Sequence, residues 1–161
     1  MIKKFNILLI TLFKIGKIKY APGTIASFAT CVIFFSLSNF LNLLLLTFFV
    51  LVISLYALIA INMSYESFDS EDPQEIVIDE FVGQALPLLA IPIYETLYSM
   101  PVFFYYILSF VVFRFFDILK PYPINYIDKN TKDSFGIMLD DIIAGLFTII
   151  LLTIVFFFVG G

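Results

Sequence analysis

Residues 24–63, TIASFATCVIFFSLSNFLNLLLLTFFVLVISLYALIAINM, contain no Asp, Glu, Lys or Arg. A single membrane-crossing helix needs about 20 apolar residues, so this run is roughly twice too long for one. Its only polar cluster, Ser36, Ser38, Asn39 and Asn42, lies near the middle and predicts a tight turn between two helices. The first helix then covers about Thr24 to Leu37 and the second about Phe40 to Met63. At that length the first helix can either cross a bilayer or re-enter it.

The rest of the chain repeats the pattern. Of 161 residues, 61% are hydrophobic and 14% charged, with a mean hydropathy of +1.05. Soluble domains are about 45–50% apolar and about 25% charged, so this composition excludes them, and it excludes disorder as well. The predicted fold class is all-α, a polytopic membrane helical bundle of about five hydrophobic helices. A third helix is expected from Asp72-Pro73-Gln74-Glu75, where an Asp cap precedes Pro at the first helical position, and it continues to about Ile91 with a bend at Pro87. A fourth runs from Thr96 or Val102 to Leu119, stopped by Pro121 and Pro123. A fifth runs from Gly136 to about Val159, after a polar loop over residues 125–135.

The N-terminus divides the chain into two expected parts. Residues 1–19 read as an amphipathic interfacial segment, with Ile2, Phe5, Leu8, Leu9, Leu12 and Ile15 at helical spacing and lysines at its edges. No small-x-small cleavage site follows, which argues against a removed signal. Residues 20–161 read as one membrane-embedded domain.

Five crossings put residues 38–42, 92–98 and 159–161 on one side of the bilayer. All nine Lys and Arg residues then fall on the other side, and Glu95 is the one charge left opposite them. By the positive-inside rule the cation-rich side is cytoplasmic.

Several charges stand inside the predicted helices on that side. Asp79 and Glu80 are expected about two turns into the third helix. Asp140 and Asp141 lie one to two turns into the fifth. Arg114, Asp117 and Lys120 recur every third residue at the end of the fourth, on one face. An ionised acid in a membrane helix costs about 2.5–3.5 kcal/mol at its centre and less near the interface, and clustered acids repel one another. A divalent cation offsets both costs, and carboxylate oxygens suit Mg²⁺. Arg114 and Lys120 beside it suit a phosphate. Interhelical ion pairs are the plainer alternative for the same residues. Gly23, Thr24 and Ser27, opening the first helix on the same side, offer close backbone approach and hydroxyls to an anion.

Four motifs occur in order: Pro22-Gly23-Thr24 with Ser27; Asp79-Glu80-Phe81-Val82-Gly83; Phe113-Arg114-Phe115-Phe116-Asp117-Ile118-Leu119-Lys120-Pro121-Tyr122-Pro123; and Gly136-Ile137-Met138-Leu139-Asp140-Asp141-Ile142-Ile143-Ala144-Gly145. With them the chain resembles the phosphatidylglycerophosphatase A family of bacterial membrane lipid phosphatases over about residues 20–160. The resemblance implies a Mg²⁺-dependent hydrolase of the cell (inner) membrane, acting in phospholipid biosynthesis. It would convert phosphatidylglycerophosphate to phosphatidylglycerol and inorganic phosphate. Its partners would be that phospholipid and the bilayer, with no nucleic acid.

The residue inventory agrees by exclusion. The chain has no histidine and one cysteine, Cys31, with no arginine near it. Histidine and cysteine phosphatase chemistry are therefore absent, as is an Asp-x-Asp-x-Thr/Val aspartyl-phosphate signature. Metal-assisted hydrolysis remains. The expected metal ligands come from Asp79, Glu80, Asp140 and Asp141, one of which also serves as general base. Arg114 and Lys120 are expected to clamp the phosphate. Asp117 would ligate the metal or orient Arg114, and Gly23, Thr24 and Ser27 would bind the second phosphate or the leaving group. Asp128, Lys129, Lys132 and Asp133 read as a solvated loop, with Asp128 singled out because it closely follows the Pro-Tyr-Pro turn. Two other classes stay open at this point. One is a metal-dependent phosphatidyltransferase, whose Asp-Gly-x2-Ala-Arg signature is missing. The other is a small ion or phosphate transporter, which would be expected to hold its acids near the midplane.

Overall fold

The computed structural model describes residues 2–65, 68, 74–131 and 133–159, and among them it is helical with no strand. The elements are α1 (Ile2–Ile10), a 3₁₀ turn (Ile15–Lys17), α2 (Pro22–Leu37), α3 (Leu43–Ser64), α4 (Ile78–Leu89), α5 (Ile91–Leu97), α6 (Val102–Leu119), α7 (Ile124–Asn130) and α8 (Ser134–Val159). Three of these, α3, α6 and α8, are long and apolar enough to cross a membrane, and α2 is a shorter apolar helix. The turn expected between the first two helices is present. Asn42 caps α3, its side chain accepting from the Leu45 N–H at 2.9 Å.

The most buried helix is α4, packed against α2, α3, α6 and α8. Lipid tails are as apolar as leucine, so close backbone approach and packing, rather than a hydrophobic drive, hold membrane helices together. Glycines supply that approach here. A Cβ on Gly83 of α4 would lie 2.6 Å from the Asp141 carbonyl oxygen, and one on Gly145 of α8 would strike the Gly83 carbonyl. The outward faces carry the lipid-facing side chains, among them exposed Leu44, Phe48, Leu55 and Ile59 on α3 and Phe103, Ile107 and Val111 on α6. At the end of the bundle away from the acids, Tyr94, Tyr105 and Phe156 pack together, and the Tyr94 hydroxyl lies 2.9 Å from that of Thr153.

Three expectations need correction. The third helix begins at Ile78, so Asp79 and Glu80 occupy its first turn rather than lying two turns in. The approach to it is held from outside: the Val77 N–H donates to the Ile10 carbonyl at 3.0 Å, and Gly16 packs on the Glu75 carbonyl. Residues 72 and 73 of the predicted cap lie outside the described residues. Downstream, α4 runs through Pro87 to Leu89, and α5 starts afresh at Ile91 after Ala90, with Pro92 in its first turn.

The N-terminal segment also differs. Its helix stops at Ile10, followed by positive φ at Leu12, Phe13 and Lys14, so Leu12 and Ile15 do not extend the expected face. Asn6 and Ile10 are buried while Ile2 and Phe5 are exposed, because the helix docks on α3. There the Tyr56 hydroxyl donates to Asn6 Oδ1 at 2.7 Å. Finally, the polar loop contains α7, anchored by fully buried Ile124 against Phe113 and Ala144.

Candidate active site

One cavity of about 440 Å³ opens among the ends of α2, α4, α6, α7 and α8. Its lining includes Gly23, Thr24, Asp79, Glu80, Arg114, Asp117, Lys120, Asp140 and Asp141, together with Lys19 and Asp128. The structure thus gathers residues from four separated motifs into one chamber. Ser27 is the expected site residue that does not line it. Its hydroxyl donates to the Gly23 carbonyl at 3.0 Å and accepts from Arg114 Nη1 at 3.5 Å, so it lies behind the arginine.

The charges sort into two sets. In the first, every acid meets a cation. Arg114 pairs with Asp117 one turn along α6. Lys120 ends α6 in a left-handed conformation, φ 42°, just before Pro121. A left-handed non-glycine residue costs roughly 1–2 kcal/mol. Here it swings Nζ off the helix face that the spacing predicted, to 2.7 Å from Asp128 Oδ1 and 2.8 Å from Asp140 Oδ2. Burial by itself would lower the affinity of this ammonium for its proton. The hydrogen bonds to Asp128 and Asp140 outweigh it and hold Lys120 above the ordinary lysine range.

In the second set no ion pair forms among the described residues. Asp79, Glu80 and Asp141 bring one carboxylate oxygen each to within 4.8 Å of one another. Asp79 and Asp141 are buried, and Glu80 Oε2 is buried without a hydrogen-bond partner among the described residues. Asp79 Oδ1 accepts from the Glu80 N–H at 3.1 Å, as an acid in a first helical turn can. Gly23 belongs to this side of the cavity: a Cβ there would collide with Glu80 Oε1, so any larger residue would push that carboxylate from its present place. Three carboxylate oxygens converging without an ion-pair partner among the described residues could hold a metal ion. Asp140, expected among the ligands, is not in this group, because Lys120 holds it.

Two charged lining residues, Asp128 and Lys19, are not among the expected site residues. Asp128 reads in sequence as a solvated loop residue, and α7 turns it toward Lys120. Lys19 reads as one of several N-terminal lysines. Outside the lining, Gln84, one turn after Glu80, is fully buried with neither amide atom partnered among the described residues.

Comparison with known proteins gives the following. The sequence profile described as phosphatidylglycerophosphatase A matches residues 8–156. A Bacteroides thetaiotaomicron protein, provisionally named a phosphatidylinositol-3-phosphatase, is 34% identical over 157 residues, covering 96% of this chain and 95% of that one. The phosphatidylglycerophosphatase A of Haemophilus influenzae is 34% identical over 138 residues, covering 86% and 80%. That of Escherichia coli is 32% identical over 133 residues, covering 83% and 73%. No solved structure matches the chain.

Proposed function

This chain belongs to the phosphatidylglycerophosphatase A family, a family of phosphatases, and on that premise we propose that it hydrolyses the phosphomonoester of phosphatidylglycerophosphate. The products are phosphatidylglycerol and inorganic phosphate, a step of phospholipid biosynthesis. The observation that carries the reading is the uncompensated group Asp79, Glu80 and Asp141, in one cavity with Arg114 and Lys120.

Those three carboxylates fit Mg²⁺ by donor chemistry, and the unpartnered Glu80 Oε2 is an oxygen that such an ion would satisfy. A bound ion supplies positive charge to the phosphate oxygens and makes a nearby water more acidic. The chain's own residues do the rest. Asp117 fixes the Arg114 guanidinium, whose Nε remains a buried, unpartnered donor. Asp128 and Asp140 fix the Lys120 ammonium from two sides. Both cations are thus in place before substrate arrives, and charge building on the phosphoryl oxygens meets them without reorganisation. A carboxylate of the unpaired group accepts the proton of the attacking water. The P–O bond to the glycerol breaks, and the leaving oxygen takes up a proton.

The bilayer side follows from the same charges. Laid out as five crossings, the chain puts all nine Lys and Arg residues on the side of Arg114 and Lys120, so on the positive-inside rule the cavity opens to the cytoplasm of a bacterial cell membrane. Residues 20–161 form the one catalytic domain in this reading, and residues 1–19 stand beside it.

The test is phosphate release from phosphatidylglycerophosphate by the purified protein in detergent, with Mg²⁺ and with EDTA. Release that requires the metal is expected. Release undiminished by EDTA would contradict the role given to the carboxylates, and no release under either condition would contradict the substrate. The name of the Bacteroides relative favours a second substrate, and phosphatidylinositol 3-phosphate in the same assay decides between the two head groups.

A further inference from the structure

Three cations line the cavity, and they are not equivalent. Arg114 is committed to Asp117, and Lys120 to Asp128 and Asp140. Lys19, on the linker between the 3₁₀ turn and α2, has no carboxylate partner among the described residues, although it lines a cavity rich in acids. Its ammonium rests 5.7 Å from the centre of the exposed Tyr20 ring. Lys17, two residues earlier, is by contrast paired with Glu75 at 3.6 Å.

The position of Lys19 is informative. From Lys19 through Ala21 and Pro22 to Gly23, the lining passes from exposed to half-buried to buried, and Gly23 ends against Glu80. Lys19 therefore stands at the mouth of the cavity, with the unpaired carboxylates at the inner end of the same strip. Four residues of chain span at most about 14 Å, a distance within reach of a lysine arm and a small polyol spacer together.

A lipid whose head group ends in a phosphomonoester carries a second phosphate, the diester that joins the head group to its diacylglycerol. Arg114, Lys120 and a bound ion answer the first phosphate. Nothing else among the cavity's cations answers the second. We propose that Lys19 is the docking point for the substrate's phosphodiester, and so the residue that selects lipids bearing a monoester beyond a diester. The assignment rests on the phosphatase reading given above.

The two products separate the two phosphates, because phosphatidylglycerol keeps the diester and inorganic phosphate keeps the cleaved group. Kinetics of Lys19→Gln, Lys19→Arg and Lys4→Gln in mixed micelles, with each product as inhibitor, test the assignment. A charge-assisted contact at the cavity mouth corresponds to about a tenfold effect. In Lys19→Gln, KM for phosphatidylglycerophosphate and the inhibition constant for phosphatidylglycerol should rise together by that factor. In the same variant, kcat and the inhibition constant for inorganic phosphate should move less than about twofold, and Lys19→Arg should restore both raised constants. An equal rise for inorganic phosphate, or the same rise in Lys4→Gln on the exposed face of α1, would overturn the assignment. So would a Lys19→Gln variant indistinguishable from wild type. Wild-type protein that releases no phosphate at all would instead overturn the phosphatase reading itself.

Discussion

The two sides of the cavity hold the same kind of residue in opposite electrostatic states. On one side Asp117, Asp128 and Asp140 each meet a cation at ion-pair distance. On the other, Asp79, Glu80 and Asp141 have none among the described residues, although Asp141 follows Asp140 directly in sequence. Successive residues on a helix point about 100° apart, so adjacent aspartates on α8 serve different sides. The paired side is self-sufficient and positions its cations. The unpaired side is incomplete without a positive ligand. Acid clusters are thus better judged by which members lack a partner than by how many there are.

That contrast predicts graded losses. Asp79→Asn and Asp141→Asn should each lower phosphate release by about 1,000-fold or more, because several kcal/mol of charge stabilisation goes with the metal. The variants should still insert and keep their helical circular dichroism. Residual activity above a tenth of wild type would remove that residue from the unpaired set's role. Asp140→Asn should cost less, about 10–100-fold, the range for a residue that orients another group. Its Mg²⁺ requirement should stay within a few-fold of wild type in a metal titration. Asp128→Asn should be milder again, below about tenfold, since Lys120 keeps Asp140.

Two further substitutions bear on the frame that separates the sides. Gly83→Ala forces a methyl toward the Asp141 carbonyl and should destabilise the protein by about 1–3 kcal/mol. Thermal inactivation in detergent would register this, and an unchanged inactivation temperature would mean that α4 and α8 can part without penalty. The smallest effect is expected at Gln84, whose amide has no partner. Gln84→Leu should leave stability within about 1 kcal/mol or raise it, as removal of an unsatisfied buried group does. A loss of 2 kcal/mol or more would show that the amide is satisfied.

Much of this was legible in the sequence, for physical reasons that differ by element. The bounds of α2, α3, α6 and α8 follow closely from where charge stops and proline or asparagine intervenes. The convergence of acids and cations on one side follows from laying those spans across a bilayer. The start of α4 did not follow, because a local cap signature at Asp72-Pro73 says nothing of Ile10 and Gly16 holding residues 75–77 from another part of the chain. Nor did the division of Asp140 from Asp141. It depends on a left-handed turn at Lys120 and on α7, and a tertiary ion pair leaves no periodic trace. Lys19 was hidden for a related reason: among several N-terminal lysines, only its place on the cavity lining distinguishes it.

The most direct measurement is Mg²⁺ binding by calorimetry to the purified protein in detergent, comparing wild type with Asp79→Asn and Asp140→Asn. Binding by wild type, its loss in Asp79→Asn and its retention within a few-fold in Asp140→Asn is the predicted result. Equal loss in both variants, or no binding by wild type, would contradict the division of the cavity into a paired side and a metal-holding side.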